Sequence, residues 1–360
     1  MRILHVLNHT ERLNGHVHAA VDLACAQAAL GHEVAIASGG GDFDHLLAKH
    51  SVQHIIIDQR RKLLTAAKAA YRLMKLIRRF DIVHAHMMTS AVLCCPSCML
   101  LRKPLITTVH NEFERSAVLM GLGSRVIAVS GAVSRSMAKR GIPASRLRTV
   151  LNGTAGSFRL SGPVGPPVDL GSPALLYVAG LHPRKGLPDL LHAFEIVAEA
   201  FPEARLNIVG EGPFEAEYKA LAKSLRCSTS IIFHGGKDDP RAYFIASDIF
   251  VLPSLAEPAG LVLSEACEAG CAIVATDVGG IPDMLDGGRA GILTPVSDPQ
   301  SMAVAIMGLL GDPAALQRAK SAAQANVARL GLDRVTRETL DVYAECLGPA
   351  KARAVEPRRS

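Results

Sequence analysis

The strongest constraint on this chain is a pattern of short apolar runs separated by amphipathic segments, laid out twice. Apolar runs at 3–7, 33–37, 53–57, 81–85, 105–109, 126–130 and 148–151 read as strands. Segments 16–30, 63–79, 93–101 and 133–140 carry helical periodicity between them. Unbroken apolar runs, rather than polar–apolar alternation, mark strands buried on both faces of a mostly parallel sheet covered by helices. The pattern stops over 155–173, a stretch dense in Gly and Pro that favours no regular element. It then restarts, with strands at 175–179, 205–209, 230–234, 249–252 and 272–276 and helices at 187–200, 214–225, 240–246, 300–310, 314–329 and 333–346. The chain therefore reads as α/β with two doubly wound domains, 1–154 and 174–332, joined by the linker 155–173. The polar tail 348–360 is expected to be disordered. Two such domains predict a cleft where strand carboxyl ends and helix amino ends converge.

Composition narrows the function classes. The 360 residues can bury two sizeable cores, and no apolar stretch free of charge is long enough to span a bilayer. Only 4% of residues are aromatic and none is Trp, which leaves few stacking platforms and counts against single-stranded nucleic-acid binding. A formal net charge of +6 suits anionic partners. The first residues, Met1-Arg2-Ile3-Leu4-His5, are too soon polar for a signal peptide and read as the first strand. The 8 cysteines sit mostly in apolar runs, as reduced buried thiols do, so a cytoplasmic location is expected. Cys95 and Cys98, with His84 and His86 upstream, lack a second cysteine pair at zinc-ribbon spacing, and no metal site is expected.

Residues 249–270 concentrate the chemistry. The apolar run Ile249-Phe250-Val251-Leu252 ends at Pro253, and Pro258 suits the first position of a helix closing near Gly270. Glu257 and Glu265 bracket the start of that helix. Their spacing would bring them within about a quarter turn of each other on it. Gly260, Leu261 and Val262 lie between, where first-turn amides lack intrahelical partners and can hold a phosphate. Two carboxylates beside such a site can accept hydrogen bonds from sugar or ribose hydroxyls. A βα unit with two solvated glutamates has the same spacing.

Further motifs carry a resemblance. They are Ala179-Gly180-Leu181-His182-Pro183-Arg184-Lys185-Gly186, Val209-Gly210-Glu211-Gly212-Pro213, Phe233-His234-Gly235, the 252–266 stretch, and Ala275-Thr276-Asp277-Val278-Gly279-Gly280-Ile281-Pro282-Asp283. In this order they closely resemble the nucleotide-sugar glycosyltransferases of the GT-B fold, in particular the retaining group called glycosyltransferase family four. The amino-terminal half matches more loosely, through Gly15, Asp81-Ile82-Val83-His84-Ala85-His86, Thr108-Val109-His110 and Asn152-Gly153. The resemblance implies a retaining transferase that takes sugar from a UDP- or GDP-linked donor, with no required cofactor or metal. It implies Lys185, with Arg184, on the donor diphosphate, helped by amides near Gly15 and Gly260–Val262. It also implies Glu265 on the ribose, Glu257 against the donor sugar, Gly212, Pro213 and His234 near the base, and His110 near the reacting centre. The acceptor would be a polysaccharide, lipopolysaccharide or lipid-linked saccharide held by the first domain, on which helix 333–347 would pack. Three departures matter: Gly180 stands where the family usually has a diphosphate-binding Arg, Asn14-Gly15 where the first helix usually opens with Gly-Gly, and Asp283 where Glu is common.

Other features weigh less. Lys68, Arg72, Lys75 and Arg79 form a basic stripe on one predicted helix, opposite Leu63, Ala67, Ala70, Met74 and Ile77. A solvated face is the plain reading, and contact with an anionic membrane surface is the functional one. Asp42-Phe43-Asp44 reads as a solvated loop. His84 and His86 are expected to be structural, with only one of them able to face the cleft. Two rival functions share this architecture: a sugar-nucleotide epimerase, and a non-catalytic homologue that binds saccharide or a partner.

Overall fold

The computed structural model describes residues 1–12, 14–59 and 63–347; the tail expected over 348–360 lies outside them. The chain forms two compact units. One comprises Met1–Ser161 and the chain from Gly331 onward, and the other Gly162–Leu330.

In the first unit the strands are β1 (Arg2–Val6), β2 (Glu33–Ser38), β3 (Gln53–Ile56), β4 (Ile82–Ala85), β5 (Leu105–Val109), β6 (Arg125–Ala128) and β7 (Leu147–Thr149). They pair parallel in the order β3-β2-β1-β4-β5-β6-β7. The chain's direction of travel across the sheet reverses between β1 and β4, which is where open parallel sheets gather ligands beyond their carboxyl ends. β5 is buried along its whole length, as a strand covered on both faces must be. On one face Ile3, Leu7, Ile82 and Ile106 pack with Val17, Ala20 and Val21 of helix Gly15–Ala29 and with Leu340 and Tyr343 of helix Leu332–Ala344.

Residues 155–161, expected in the linker, are instead folded into this unit. Ala155 bridges to Gly331, and a short 3-10 turn spans Phe158–Leu160. The cause is Asp22, fully buried in helix Gly15–Ala29. It accepts from Ser157 Oγ at 2.8 Å and pairs with Arg159 Nε at 2.8 Å. A buried carboxylate demands such partners, and the segment that supplies them is ordered by doing so.

The second unit contains β8 (Ala174–Val178), β9 (Arg205–Val209), β10 (Ile231–Gly235), β11 (Ile249–Leu252), β12 (Ala272–Thr276) and β13 (Ile292–Thr294), parallel in the order β10-β9-β8-β11-β12-β13. Here the order reverses between β8 and β11. Tyr177, Ile208, Val251 and Val274 form the core with Leu190, Leu191 and Phe194 of helix Leu187–Ala200 and Ile306 of helix Pro299–Gly311. Among the described residues no helix is long and apolar enough to cross a membrane.

The basic stripe lies on helix Leu63–Ile77 and the turn after it, with Lys68, Arg72, Lys75 and Arg79 all exposed. The buried face is rotated from the expected one. It is made by Ala69, Leu73, Leu76 and Ile77, while Ala67 is exposed. Short alanines satisfy the periodicity from either side, so the larger Leu73 and Leu76 decide which side faces the sheet.

Candidate active site

In the second unit the two strands flanking the reversal deliver the charged pair. After β8 the chain makes a 3-10 turn over Pro183–Lys185, capped by His182, whose Nδ1 accepts from the Arg184 amide. Gly186 follows at φ +67°, where a Cβ would sit 1.8 Å from the Pro253 carbonyl oxygen, so only glycine lets this loop lie against the loop after β11. The Leu255 amide donates to Arg184 O at 2.8 Å and locks the two loops together. Lys185 Nζ thereby reaches the Glu257 carboxylate in an ion pair whose side chains are 19% and 8% exposed. Ser254 Oγ also donates to Glu257, at 3.4 Å. The backbone of Glu257 is held as well. Its carbonyl accepts from Gly280 N–H at 2.9 Å, and Gly279 at φ +58° packs so closely that a Cβ would meet that oxygen at 1.9 Å.

The helix start differs from the sequence expectation. Pro258 does not open the helix. Gly260 at φ +83° redirects the chain, and the helix runs Val262–Ala269 with Leu261 at its N-cap. Glu257 is therefore a loop residue and Glu265 alone stands in the first turn, so the eight-residue helical spacing does not relate them. A left-handed residue four positions before Ser264 outweighs the preference of Pro258 for a first helical turn. The amides of Leu263 and Ser264 are taken up by Gly260 O and Leu261 O.

Gly212 lies just after β9, and His234 near the carboxyl end of β10. Gly212 has a steric duty, since a Cβ there would lie 2.5 Å from Leu181 O. Pro213 follows it in the loop between β9 and helix Glu215–Ser224. His234 Nε2 is 2.9 Å from Asn207 Oδ1, and Asn207 Nδ2 donates to Leu170 O and Leu175 O. Two carbonyls fix that amide, so His234 carries its proton on Nε2 and offers a lone pair on Nδ1. Burial pushes the His234 pKa down. Gly180 sits in open space, where a Cβ would meet only Glu211 O, at 3.8 Å.

In the first unit, Gly15 is the exposed first residue of helix Gly15–Ala29, whose N-cap Asn14 makes no side-chain capping bond. His110 follows β5, its Nε2 lying 3.1 Å from His86 Nδ1. His84 and His86 are on the same side of their chain, with ring centroids 4.1 Å apart. This corrects the expectation that only one could face a common site, because residues two apart on a strand share a face. The parallel register sets His5 beside His84. The sequence pattern did not reveal His5, Gln27 and Tyr343, which connect to His110 in turn through His86. The signal was present: His5, His84, His86, Thr108 and His110 recur at two-residue spacing near the carboxyl ends of three strands.

Among the described residues, the set of side chains close enough to share a metal is His5, His84 and His86, with ligand atoms within 4.8 Å of one another. It does not include Cys95 or Cys98. Those two line a separate cavity of about 390 Å³ with Arg102, Arg125 and Glu345, near the amino ends of β5 and β6. That cavity lies at the opposite end of the strands from His110.

Residues 13–155 match the family described as Glycosyltransferase Family 4, and residues 165–326 match Glycosyl transferases group 1. A D-inositol 3-phosphate glycosyltransferase of Streptomyces bingchenggensis is 28% identical over 311 residues, covering 74% of this chain and 67% of that protein. Among solved structures, Anabaena Alr3699/HepE in complex with UDP-glucose superposes with a TM-score of 0.82 at 20% identity, over 96% of this chain and 100% of that one. WaaG, a glycosyltransferase involved in lipopolysaccharide biosynthesis, gives 0.74 at 15% identity, over 95% and 99%. Both structural likenesses concern the fold, which is GT-B. With both halves matched in order, the chain belongs to the glycosyltransferases of the family 4, group 1 type, and it is an enzyme of that class.

Proposed function

We propose that the protein transfers a sugar, with retention of anomeric configuration, from a UDP- or GDP-linked donor to a saccharide or lipid-linked acceptor of cell-surface polysaccharide, lipopolysaccharide or glycolipid. The observation that carries this reading is the largely buried Lys185–Glu257 pair at the reversal point of the second sheet. A diphosphate leaving group gains negative charge as the glycosidic bond breaks, and a preorganised cation stabilises it without waiting for solvent. In the free protein Glu257 holds Lys185 extended. When donor binds, the ammonium exchanges that carboxylate for phosphate oxygens and Glu257 turns to the hydroxyls of the sugar. Arg184, on the same turn, supplies the second positive charge. Glu265, in the first turn of its helix, accepts from the ribose hydroxyls, with Gly260, Leu261 and Val262 beside the phosphates. Gly212, Pro213 and His234 border the base. On the first unit, His110 meets the donor sugar and the amide of Gly15 approaches the diphosphate. The acceptor and leaving group meet on one face of the sugar, and the departing phosphate takes the acceptor's proton.

A UDP-glucose complex of a protein with the same fold supports a nucleotide-sugar donor. A lipid-linked acceptor gains support from the exposed basic stripe, where Tyr71 is 55% exposed and Lys75 Nζ lies 4.6 Å over its ring. Each such cation near an anionic surface contributes about 1 kcal/mol, which favours peripheral membrane contact. Thermal-shift screening across UDP- and GDP-sugars tests the proposal. One donor should raise the melting temperature in a concentration-dependent way, and no shift with any of them would overturn it.

A further inference from the structure

The first unit contains a line of hydrogen-bonding side chains that ends at His110. His110 Nε2 is 3.1 Å from His86 Nδ1, His86 Nε2 is 2.9 Å from His5 Nδ1, and His5 Nε2 is 2.8 Å from Gln27 Oε1. Gln27 Nε2 lies 3.3 Å from the Tyr343 hydroxyl, which is 2.6 Å from His84 Nδ1, and His84 Nε2 is 2.7 Å from Thr108 Oγ1. Gln27 comes from helix Gly15–Ala29 and Tyr343 from helix Leu332–Ala344, the two helices that cover this face of the sheet. His5, Gln27, His84 and Tyr343 are fully buried and His86 nearly so.

Burial keeps these rings neutral. It pushes His5 down to about 4 and His110 to about 3, and holds His84 and His86 well below the usual value. A neutral imidazole has one N–H and one lone pair, so each link in the line dictates the next. The direction is set at Tyr343. A phenol is a far better donor to an imidazole nitrogen than an imidazole N–H is to a phenol oxygen, and the short contact to His84 Nδ1 fits O–H donation. The phenol proton is then used, so Tyr343 can only accept from Gln27. The Gln27 carbonyl oxygen must face His5, His5 carries its proton on Nε2 and accepts on Nδ1 from His86, and His86 accepts on Nδ1 from His110.

We propose that Tyr343, acting through Gln27, His5 and His86, fixes the tautomer of His110 so that its Nδ1 lone pair is presented to a hydroxyl of the bound donor sugar. Tyr343, Gln27, His5 and His86 are positioning residues, and the proposal rests on the reading of His110 as a donor-sugar contact. A His110 held this way accepts from a hydroxyl and cannot donate to a carbonyl or an ether oxygen at the same place. The line therefore contributes to the choice of donor from a helix that belongs to the carboxyl-terminal end of the chain.

Nitrogen NMR of the full chain, labelled with 15N-histidine, tests this. His5, His84, His86 and His110 should all be Nε2–H tautomers. Nitrogen–nitrogen couplings should cross the hydrogen bonds from His86 Nε2 to His5 Nδ1 and from His110 Nε2 to His86 Nδ1. Tyr343→Phe should weaken both couplings and leave His84 without its donor. Gln27→Met should weaken them with His84 unchanged, a difference that general loosening of the core would not produce. In both variants the KM for donor should rise by the reciprocal of the fraction left in the competent tautomer, about two- to tenfold. An Nδ1–H proton on His5, His86 or His110 in the unaltered protein would overturn the proposal, as would unchanged couplings and KM in either folded variant. If the couplings behave as stated but His110→Ala leaves donor KM untouched, the relay stands and the assignment of His110 to the donor falls.

Discussion

Lowering the pH should dissolve the first unit of this enzyme before the second. The reason is a group of histidines on and beside its sheet: His5 and His84 on strands, His86 and His110 just after strands, and His16 in the first turn of helix Gly15–Ala29. Burial drives His5 and His16 to about 4 and His110 to about 3, and keeps His84 and His86 far below the usual value. In the unfolded chain each titrates near 6.5. A histidine whose folded pKa is depressed gives its full stabilisation above the unfolded value and loses it as pH falls, because the unfolded state takes up a proton the folded state refuses. The loss begins near pH 6.5 and levels off only as the folded values near 4 and 3 are approached. Between pH 7.5 and 5.5 each such histidine withdraws on the order of 1 kcal/mol, so the five together withdraw several kcal/mol. That is comparable with the whole stability of an ordinary domain. In the second unit burial lowers the pKa of His234 as well, one histidine against five. Urea unfolding followed by circular dichroism at the two pH values, with hydrogen exchange to locate the loss, measures the effect. The urea midpoint of the first unit should collapse while that of the second moves little. Equal midpoints for the first unit at pH 7.5 and 5.5, or a loss confined to the second, would refute the reasoning.

Further outcomes follow from the site and its supports. Lys185→Ala should lower kcat more than it raises KM, since the lysine meets charge that grows in the transition state; the opposite split would make it a binding residue only. Its removal also strands Glu257 in a nearly buried position, so Lys185→Ala with Glu257→Gln should recover stability but not kcat. Gly180→Arg should fold normally, because a Cβ at this position would meet only Glu211 O, at 3.8 Å. If the missing guanidinium is what this chain lacks, donor affinity should rise by about 1–3 kcal/mol; no change would mean that Arg184 already fills the role. Arg159→Leu should cost the first unit about 3–5 kcal/mol by leaving Asp22 in the core with its Ser157 hydrogen bond but without its cationic partner. A urea midpoint equal to that of the unaltered protein would show that the pair contributes no net stability.

Much of this was legible in the sequence, and the failures have physical causes. Buried parallel strands such as Leu105–Val109 and Ala272–Thr276 advertise themselves as unbroken apolar runs, and two sets of them around a Gly/Pro-rich segment imply two sheets. Short elements at sheet margins did not show. Helix Asp44–Lys49 and strand Ile292–Thr294 are too brief to display a period, and are held by packing that a window of residues does not contain. The start of the helix after Glu257 was misplaced because Pro258 carries a local signal and Gly260 a conformational one. Backbone geometry at Gly260, Gly279 and Gly186, where carbonyls of neighbouring loops approach, decided the outcome. Lys185 and Glu257 were each recognisable in their motifs, yet their meeting depends on two strands adjacent in the sheet and 72 residues apart in sequence. The histidine line escaped for the same reason. Its members come from three strands and two helices, one of them at the far end of the chain.

The proposed function stands on binding of a nucleotide-diphosphate sugar by the second unit through Glu257, Glu265 and Lys185. Isothermal titration of the donor found by screening, into the unaltered protein and into Glu265→Ala, tests it most directly. Binding should be saturable and weaken by about 1–3 kcal/mol when the ribose contact is removed, a loss of roughly five- to 150-fold in affinity. Equal affinity of the two proteins for the nucleotide, or no binding of any UDP- or GDP-sugar, would contradict it.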